Sequence, residues 1–239
     1  MSAAGQGGIE IPERVESIAE AHDRLRAATA EMTEEQARAS IDLPGWTRGH
    51  VLTHLADLSR AFARQARYAV EGRTVEVYDG GRPTRDRNIE ANHGREIAWL
   101  RDQLDGGLAE LEEAWSVLGA ADWDRPCAYR DSTLLATQLA WWRETELHSV
   151  DLGIGYGSER WSLPLSAHVI EFLQPRLPKD AAVRIVAEDT GGEWTAGEGA
   201  PVVVRGDQRS VAAWISGRPA VRTPSADGPA GLPELNAWP

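Results

Sequence analysis

Apolar side chains recur every three to four residues along most of this chain, a spacing that predicts helices rather than strands. From Ile11 to Met32, the positions Ile11, Val15, Ile18, Ala19, His22 and Leu25 form the stripe of an amphipathic helix. Thr33 followed by Gln36 has the form of a capping box and predicts a short helical turn before the Leu43-Pro44-Gly45-Trp46 loop. Thr47 then N-caps a helix to about Val70, with Val51, Leu55, Leu58 and Phe62 on its apolar side. After a loop rich in Gly, Pro and charge from Glu71 to Thr84, one long helix is expected from about Arg85 to Val117, carrying Ile89, Ile97, Leu100, Leu104, Leu108, Leu111 and Trp115. Gly106-Gly107 lowers helix propensity there by about 1 kcal/mol per residue and is expected to mark a bend. A loop through Asp124 and Pro126 leads to a helix from about Ser132 to Leu152. Four long helices joined by connections of moderate length predict an antiparallel four-helix bundle.

The pattern changes after Gly153-Ile154-Gly155-Tyr156-Gly157. One amphipathic helix is expected from about Ser166 to Leu177, then strands at Ala182 to Ala187, Glu193 to Ala196 and Pro201 to Arg205, separated by Gly-rich turns. Asp207 caps a helix through Ile215, and Ala220 to Thr223 is expected to return as an edge strand beside prolines. The fold class is therefore α+β with two domains: a four-helix bundle over residues 1–157 and a small α+β domain over residues 158–239.

Composition narrows the function classes. An apolar fraction of 42% with 26% charged residues is globular. No apolar run is long enough to span a membrane, and the N-terminus lacks the basic start and apolar stretch of a secretory signal, so a soluble, cytoplasmic protein is expected. A formal charge of −12 works against binding a polyanion, which excludes nucleic acid as an expected partner. The single cysteine, Cys127, rules out an intrachain disulfide. Beside Pro126 in a loop, Cys127 carries no catalytic signature and reads as filler, so thiol chemistry would need a thiol from elsewhere. No oligomeric state is implied, and a monomer is compatible with the sequence.

Candidate chemistry lies on two helices. Glu144 and His148 stand one turn apart on one face, so both can reach a single ion without bending the backbone. Glu146 points away from that face, which instead carries Thr137, Trp141 and Asp151. Such a stripe is more polar than a bundle core tolerates unless its groups are satisfied, as a metal would do. A third ligand comes from His50 or His54, which share a face of the earlier helix; periodicity does not choose between them, while the deeper, apolar-flanked position favours His54. Three protein ligands leave the fourth position of a zinc-type site open, as catalysis requires. Trp46, Trp99, Trp115, Trp141 and Trp142 are expected in the core, with Trp141 the one able to line a cavity.

Several segments together carry a resemblance: Leu43 to Leu55 with its Gly-Trp-Thr-Arg-Gly-His-Val-Leu-Thr-His-Leu run, Arg85-Asp86-Arg87-Asn88-Ile89, Arg143 to Leu152, Ala213 to Arg218, and Leu232 to Trp238. In these the chain resembles the mycothiol-dependent maleylpyruvate isomerase family over nearly its whole length. The resemblance implies a DinB-like bundle holding a divalent metal, normally zinc, followed by a small domain similar to sterol carrier proteins. It implies His54, Glu144 and His148 as metal ligands and Arg218, after Gly217, as the active-site cation, with Arg222 the competing alignment. It also places Arg85 and Arg87 near the metal cavity, where helix-start arginines would otherwise be solvated.

The activity so implied is cis-trans isomerisation of maleylpyruvate to fumarylpyruvate in gentisate-type aromatic catabolism, with zinc and mycothiol as cofactors. A thiol at an open metal position loses its proton near neutral pH, and its addition to the double bond permits rotation before elimination. Two alternatives use the same residues: a mycothiol S-transferase acting on another electrophile, and a metal- or thiol-binding module without turnover. The expected partners are mycothiol and a small-molecule substrate.

Overall fold

The first long helix, α1 (Ile11–Ala30), buries Ile18, Ala21, His22 and Leu25, as the spacing predicts. The computed structural model describes residues 9–227 and 231–239. Its chain divides into two units, Ile11–Ile154 and Gly155–Pro239.

In the first unit, α2 (Glu34–Arg38) is closed by the Thr33 and Gln36 capping box, each side chain accepting from the other's backbone N–H. Next come α3 (Arg48–Val70), α4 (Gly81–Asn92) and α5 (Ile97–Ser116). A two-residue ribbon pairs β1 (Pro126–Cys127) with β2 (Ser132–Thr133), and α6 (Leu134–Asp151) completes the unit. The long helices contact one another in a closed ring, α1 on α6, α6 on α3, α3 on α5 and α5 on α1. Inside the ring lie Leu52, Leu55, Phe62, Leu100, Leu104, Leu108, Trp141 and Trp142, all fully buried. A buried polar link runs through it as well: His22 accepts from Trp141 Nε1 at 2.7 Å and sits 2.7 Å from the Glu112 carboxylate, tying α1 to α6 and α5.

Two expectations are corrected. The single helix from Arg85 to Val117 is two helices, because His93 caps α4 and the chain turns through Gly94 before α5 begins at Ile97, whose N–H is taken by the Glu34 carboxylate. The turn lies so close to α3 that a Cβ on Gly49 would stand 2.0 Å from the His93 carbonyl oxygen. The Gly106-Gly107 pair sits inside an uninterrupted α5 and serves close approach, not a bend. A Cβ on Gly107 would lie 2.3 Å from Ser59 Oγ and 2.8 Å from the Ala56 carbonyl oxygen, so bare backbone is what lets α5 seat on α3.

The second unit holds α7 (Leu163–Leu173), β3 (Ala181–Ala187), β4 (Glu193–Ala196), β5 (Ala200–Gly206), α8 (Gln208–Ser216) and β6 (Ser225–Ala226). Helix α7 starts earlier than the sequence pattern suggests because Ser162 caps it, accepting from the Leu165 N–H at 3.2 Å. The sheet order is β4-β3-β5-β6, with β3 and β5 parallel and both outer pairs antiparallel. Val183, Ile185 and Ala187 of β3 are buried at alternate positions, the mark of a strand with one covered face. The edge strand falls at 225–226, after Pro224, in place of the expected 220–223. Among the described residues no helix is long and apolar enough to cross a membrane.

The two neighbouring glycines of α5 give opposite expectations. Gly107→Ala should destabilise the protein by about 1–3 kcal/mol through overpacking against α3. Gly106→Ala meets only the movable end of Arg60, at 3.1 Å, and should be neutral or stabilising by up to about 1 kcal/mol. Denaturant melts of both variants check this; equal effects would remove the close-approach explanation.

Candidate metal centre

Helix phase and packing bring three of the predicted residues together. His54 lies in the second turn of α3, and Glu144 and His148 lie one turn apart on the facing side of α6. Arg48, at the start of α3, donates from Nε to the Leu152 carbonyl oxygen just past α6, which pins the two helix ends to each other. One oxygen, Glu144 Oε2, then stands 3.2 Å from His54 Nε2 and 3.3 Å from His148 Nε2. Ligand atoms about 2.0–2.1 Å from a shared tetrahedral centre are about 3.3–3.4 Å apart, so the measured separations suit a zinc-sized ion. The side chains of His54, Glu144 and His148 are 7%, 24% and 11% exposed, leaving the carboxylate as the accessible edge of the group.

Electrostatics assign the protons in the metal-free site. Burial lowers His54 to about 4, and the Arg85 guanidinium, donating to its Nδ1 at 2.9 Å, requires a neutral ring with its proton on Nε2. Burial also disfavours charge on His148, but hydrogen bonds to Asp151 and Glu144 outweigh it and raise that ring to about 9. For Glu144, burial opposes ionisation, while the hydrogen bonds from His148 and His54 hold the carboxyl well below its usual range. His148 Nδ1 donates to Asp151 Oδ2 at 2.9 Å, the carboxylate-histidine arrangement that orients a metal-binding imidazole. His54 has no such acceptor: to ligate through Nε2 it must carry its proton on Nδ1, and Arg85 must then give up its bond.

A second group of potential ligands, His50, Glu90 and His93, lies nearby. Its chemistry is different. The Thr47 backbone N–H donates to His50 Nδ1 at 3.0 Å, so the ring closes the N-terminus of α3 and keeps its proton on Nε2, 4.0 Å from Glu90. Burial and the neighbouring His93 both lower the His50 pKa, in keeping with a neutral ring. His50 is thus a capping residue and stacks on His93 with ring centres 3.6 Å apart.

The remaining candidates are dispersed. Glu146 faces α1 and pairs with Arg24. Arg87 is exposed and donates to Thr84 Oγ1. Cys127 is buried in β1, where burial pushes its thiol up. Trp141 is fully buried between His22 and Phe62. Arg218 belongs to the second unit, just past the α8 cap at Gly217. There it donates to the Ser216 carbonyl oxygen at 2.7 Å, and its guanidinium lies 5.0 Å from the Trp238 ring centre. Arg222 is exposed, and its backbone N–H donates to Ser210 Oγ.

Trp46, expected in the core, is only half-buried, and its indole lies parallel to His148 at 6.2 Å and edge-on to His54 at 5.8 Å. Trp46 sits in a loop, outside any periodic pattern. Asp151 was visible on the Glu144 and His148 face, but only the three-dimensional arrangement gives it the His148 ring as partner.

The sequence profile described as the mycothiol maleylpyruvate isomerase N-terminal domain matches residues 18–153, more than half of the chain and all three convergent side chains. Among solved structures, a histidine-to-alanine mutant of the mycothiol-dependent maleylpyruvate isomerase is 20% identical, with a TM-score of 0.86. The same isomerase without that substitution is 19% identical, with a TM-score of 0.85, and each match covers 96% of this chain and 98% of the other. At that identity the likeness shows a shared fold. No curated protein matches the chain by sequence.

Proton bookkeeping predicts a pH dependence. The folded pKa of His148 is raised to about 9, above its ordinary 6.5, so its pairing stabilises the metal-free protein fully below about pH 6.5, and this contribution is lost as pH rises through about 9. A metal must displace that proton. Zinc affinity, measured by chelator competition, should therefore rise about tenfold per pH unit from about pH 6.5 and level off near pH 9. In Asp151→Asn the levelling should come at lower pH, with affinity at the plateau reduced about 10- to 100-fold. A profile that is flat above about pH 6.5 in the unmodified protein would contradict the raised pKa of His148.

Proposed function

The chain belongs to the mycothiol maleylpyruvate isomerase family, and on that premise we propose that it converts maleylpyruvate to fumarylpyruvate with zinc and mycothiol. One observation carries the reading: two imidazole nitrogens from different helices face a single Glu144 oxygen at separations of 3.2 and 3.3 Å. The buried, up-shifted Cys127 supports an external thiol, since the chain has no other cysteine. On this reading, the first unit is a DinB-like four-helix bundle. The protein acts in the cytoplasm, in gentisate-type degradation of aromatic compounds.

A metal held by His54, Glu144 and His148 would lower the pKa of the thiol, and the thiol would supply the nucleophile for reversible addition to the cis double bond. The protein's own residues do the rest. His54, Glu144 and His148 hold the ion, and Asp151 fixes the His148 ring by accepting its Nδ1 proton. Trp46 covers the histidine rings on one side and limits access of water. Arg218 binds a substrate carboxylate through its planar fork and remains charged throughout. Trp238 and the Ser216 carbonyl hold that guanidinium in place.

The reaction needs no net reductant, oxidant or water, so an ultraviolet assay of maleylpyruvate and fumarylpyruvate suffices to test it. Turnover should require both mycothiol and metal, should vanish on chelation, and should regenerate free thiol. Arg218→Ala should keep its metal while losing about a hundredfold in kcat/KM. Unchanged turnover would return Arg218 to a helix-end role. A stable thiol conjugate in place of fumarylpyruvate would replace isomerisation with thiol transfer.

A further inference from the structure

A cavity of about 240 Å3 lies beside the metal centre, within the first unit. Its walls come from α3, the following loop and α4, and they include Arg60, Arg64 and Arg85 in a chain whose net charge is −12. Two of these arginines are already engaged. Arg60 donates to Glu110 at 3.1 Å, and Arg64 reaches the Glu76 carbonyl oxygen and stands 3.9 Å from Asp79. Asp57 also lines the cavity, with both its oxygens gripped by the Asn88 amide at 2.8 and 2.7 Å.

Arg85 differs from its neighbours. Its side chain is 17% exposed; one terminal nitrogen donates to Asp86 at 2.8 Å and the other to His54 Nδ1 at 2.9 Å. Its Nε is buried without any acceptor. A buried donor left unmatched is costly and uncommon, and of the arginines lining the cavity Arg85 is the one that carries such a donor. Nε and the adjacent terminal nitrogen belong to one planar fork, the arrangement that meets the two oxygens of a carboxylate. Tyr78 lines the same space and accepts a hydrogen bond from Arg85; burial raises its hydroxyl to about 12, so it stays neutral at any physiological pH.

We propose that this cavity is a carboxylate-binding pocket of the active site, with Arg85 as its anion-binding residue and a small organic acid as its ligand. The volume is below the roughly 300–1,000 Å3 typical of drug-sized ligands, which suits a compact acid. The carboxylates of Asp57 and Asp79 in the wall disfavour a phosphate dianion more than a single carboxylate, which the Arg85 guanidinium can meet. The assignment rests on the proposed isomerase reading for the identity of the acid, and only for that. Arg85 thereby becomes a specificity residue for the substrate's acid group.

Maleate is the probe, titrated calorimetrically into the zinc-loaded full-length protein without mycothiol. Arg85→Gln should retain metal and weaken maleate about tenfold or more, while Arg87→Gln, at the exposed arginine two residues on, should bind as the unmodified protein does. In the unmodified protein, one arginine Nε–H resonance should move on maleate addition, a readout that does not depend on any variant folding. Inorganic phosphate should bind more weakly than maleate. Equal maleate affinity in a folded Arg85→Gln protein, an arginine spectrum that does not respond, or a preference for phosphate would each overturn the proposal. Arg85-dependent maleate binding without maleylpyruvate turnover would sink the isomerase reading alone; turnover with Arg85-independent binding would sink this one alone.

Discussion

One carboxylate oxygen placed between two imidazole nitrogens sets the requirements for much of the first unit. Glu144 Oε2 is 3.2 and 3.3 Å from rings carried by two different helices, and no helix could hold that group alone. Burying a carboxylate costs several kcal/mol unless partners replace its water. Here the partners are themselves fixed: Asp151 orients one ring, Arg85 occupies the other, and Trp46 lies over one and against the other. The arrangement tolerates no slippage between α3 and α6, and the molecule limits it at several points. Arg48 ties the helix ends. On the far side of α3, Gly107 lets α5 approach to backbone contact, and Gly49 admits the turn that follows α4.

The same constraint separates the site from its imitator. His50 and His54 are one turn apart on the same helix, and both stand near a glutamate and a second histidine. Their difference lies in where the ring proton must sit. His50 accepts a backbone N–H that is fixed by the start of α3, whereas His54 accepts from the end of an arginine side chain, whose position the backbone does not fix. A histidine becomes a usable ligand when the bond on its other nitrogen can be exchanged, and only the deeper ring meets that condition.

Much of this was legible in the sequence, for identifiable reasons. The spacing of Glu144 and His148 is a helical turn, so their shared face follows from geometry, and the same argument sends Glu146 toward α1, where it meets Arg24. The buried stripes of α1, α3 and α5 and the Thr33 capping box follow from local pattern for the same reason. What periodicity missed depends on contacts distant along the chain. Apolar spacing continues from Ile89 to Ile97, yet the chain turns between them, and Glu34, from another helix, accepts the first free N–H of α5. The Gly106-Gly107 pair reads as a weak point until Ser59 and Ala56 are seen against it. Trp46 and Tyr78 lie in loops, where no period marks them, and Arg85 shows its unmatched donor only after folding has buried it.

On the proposed reading, His54, Glu144 and His148 hold a metal whose open position takes an external thiol. Cobalt substitution tests it most directly, since a thiolate on cobalt gives an intense near-ultraviolet charge-transfer band that a thiol elsewhere in the protein does not. Mycothiol added to the cobalt-loaded protein should produce that band in stoichiometric amount, and His54→Ala should not produce it under the same conditions. A cobalt spectrum that mycothiol leaves unchanged, in protein shown to bind the metal at these three residues, would contradict the account.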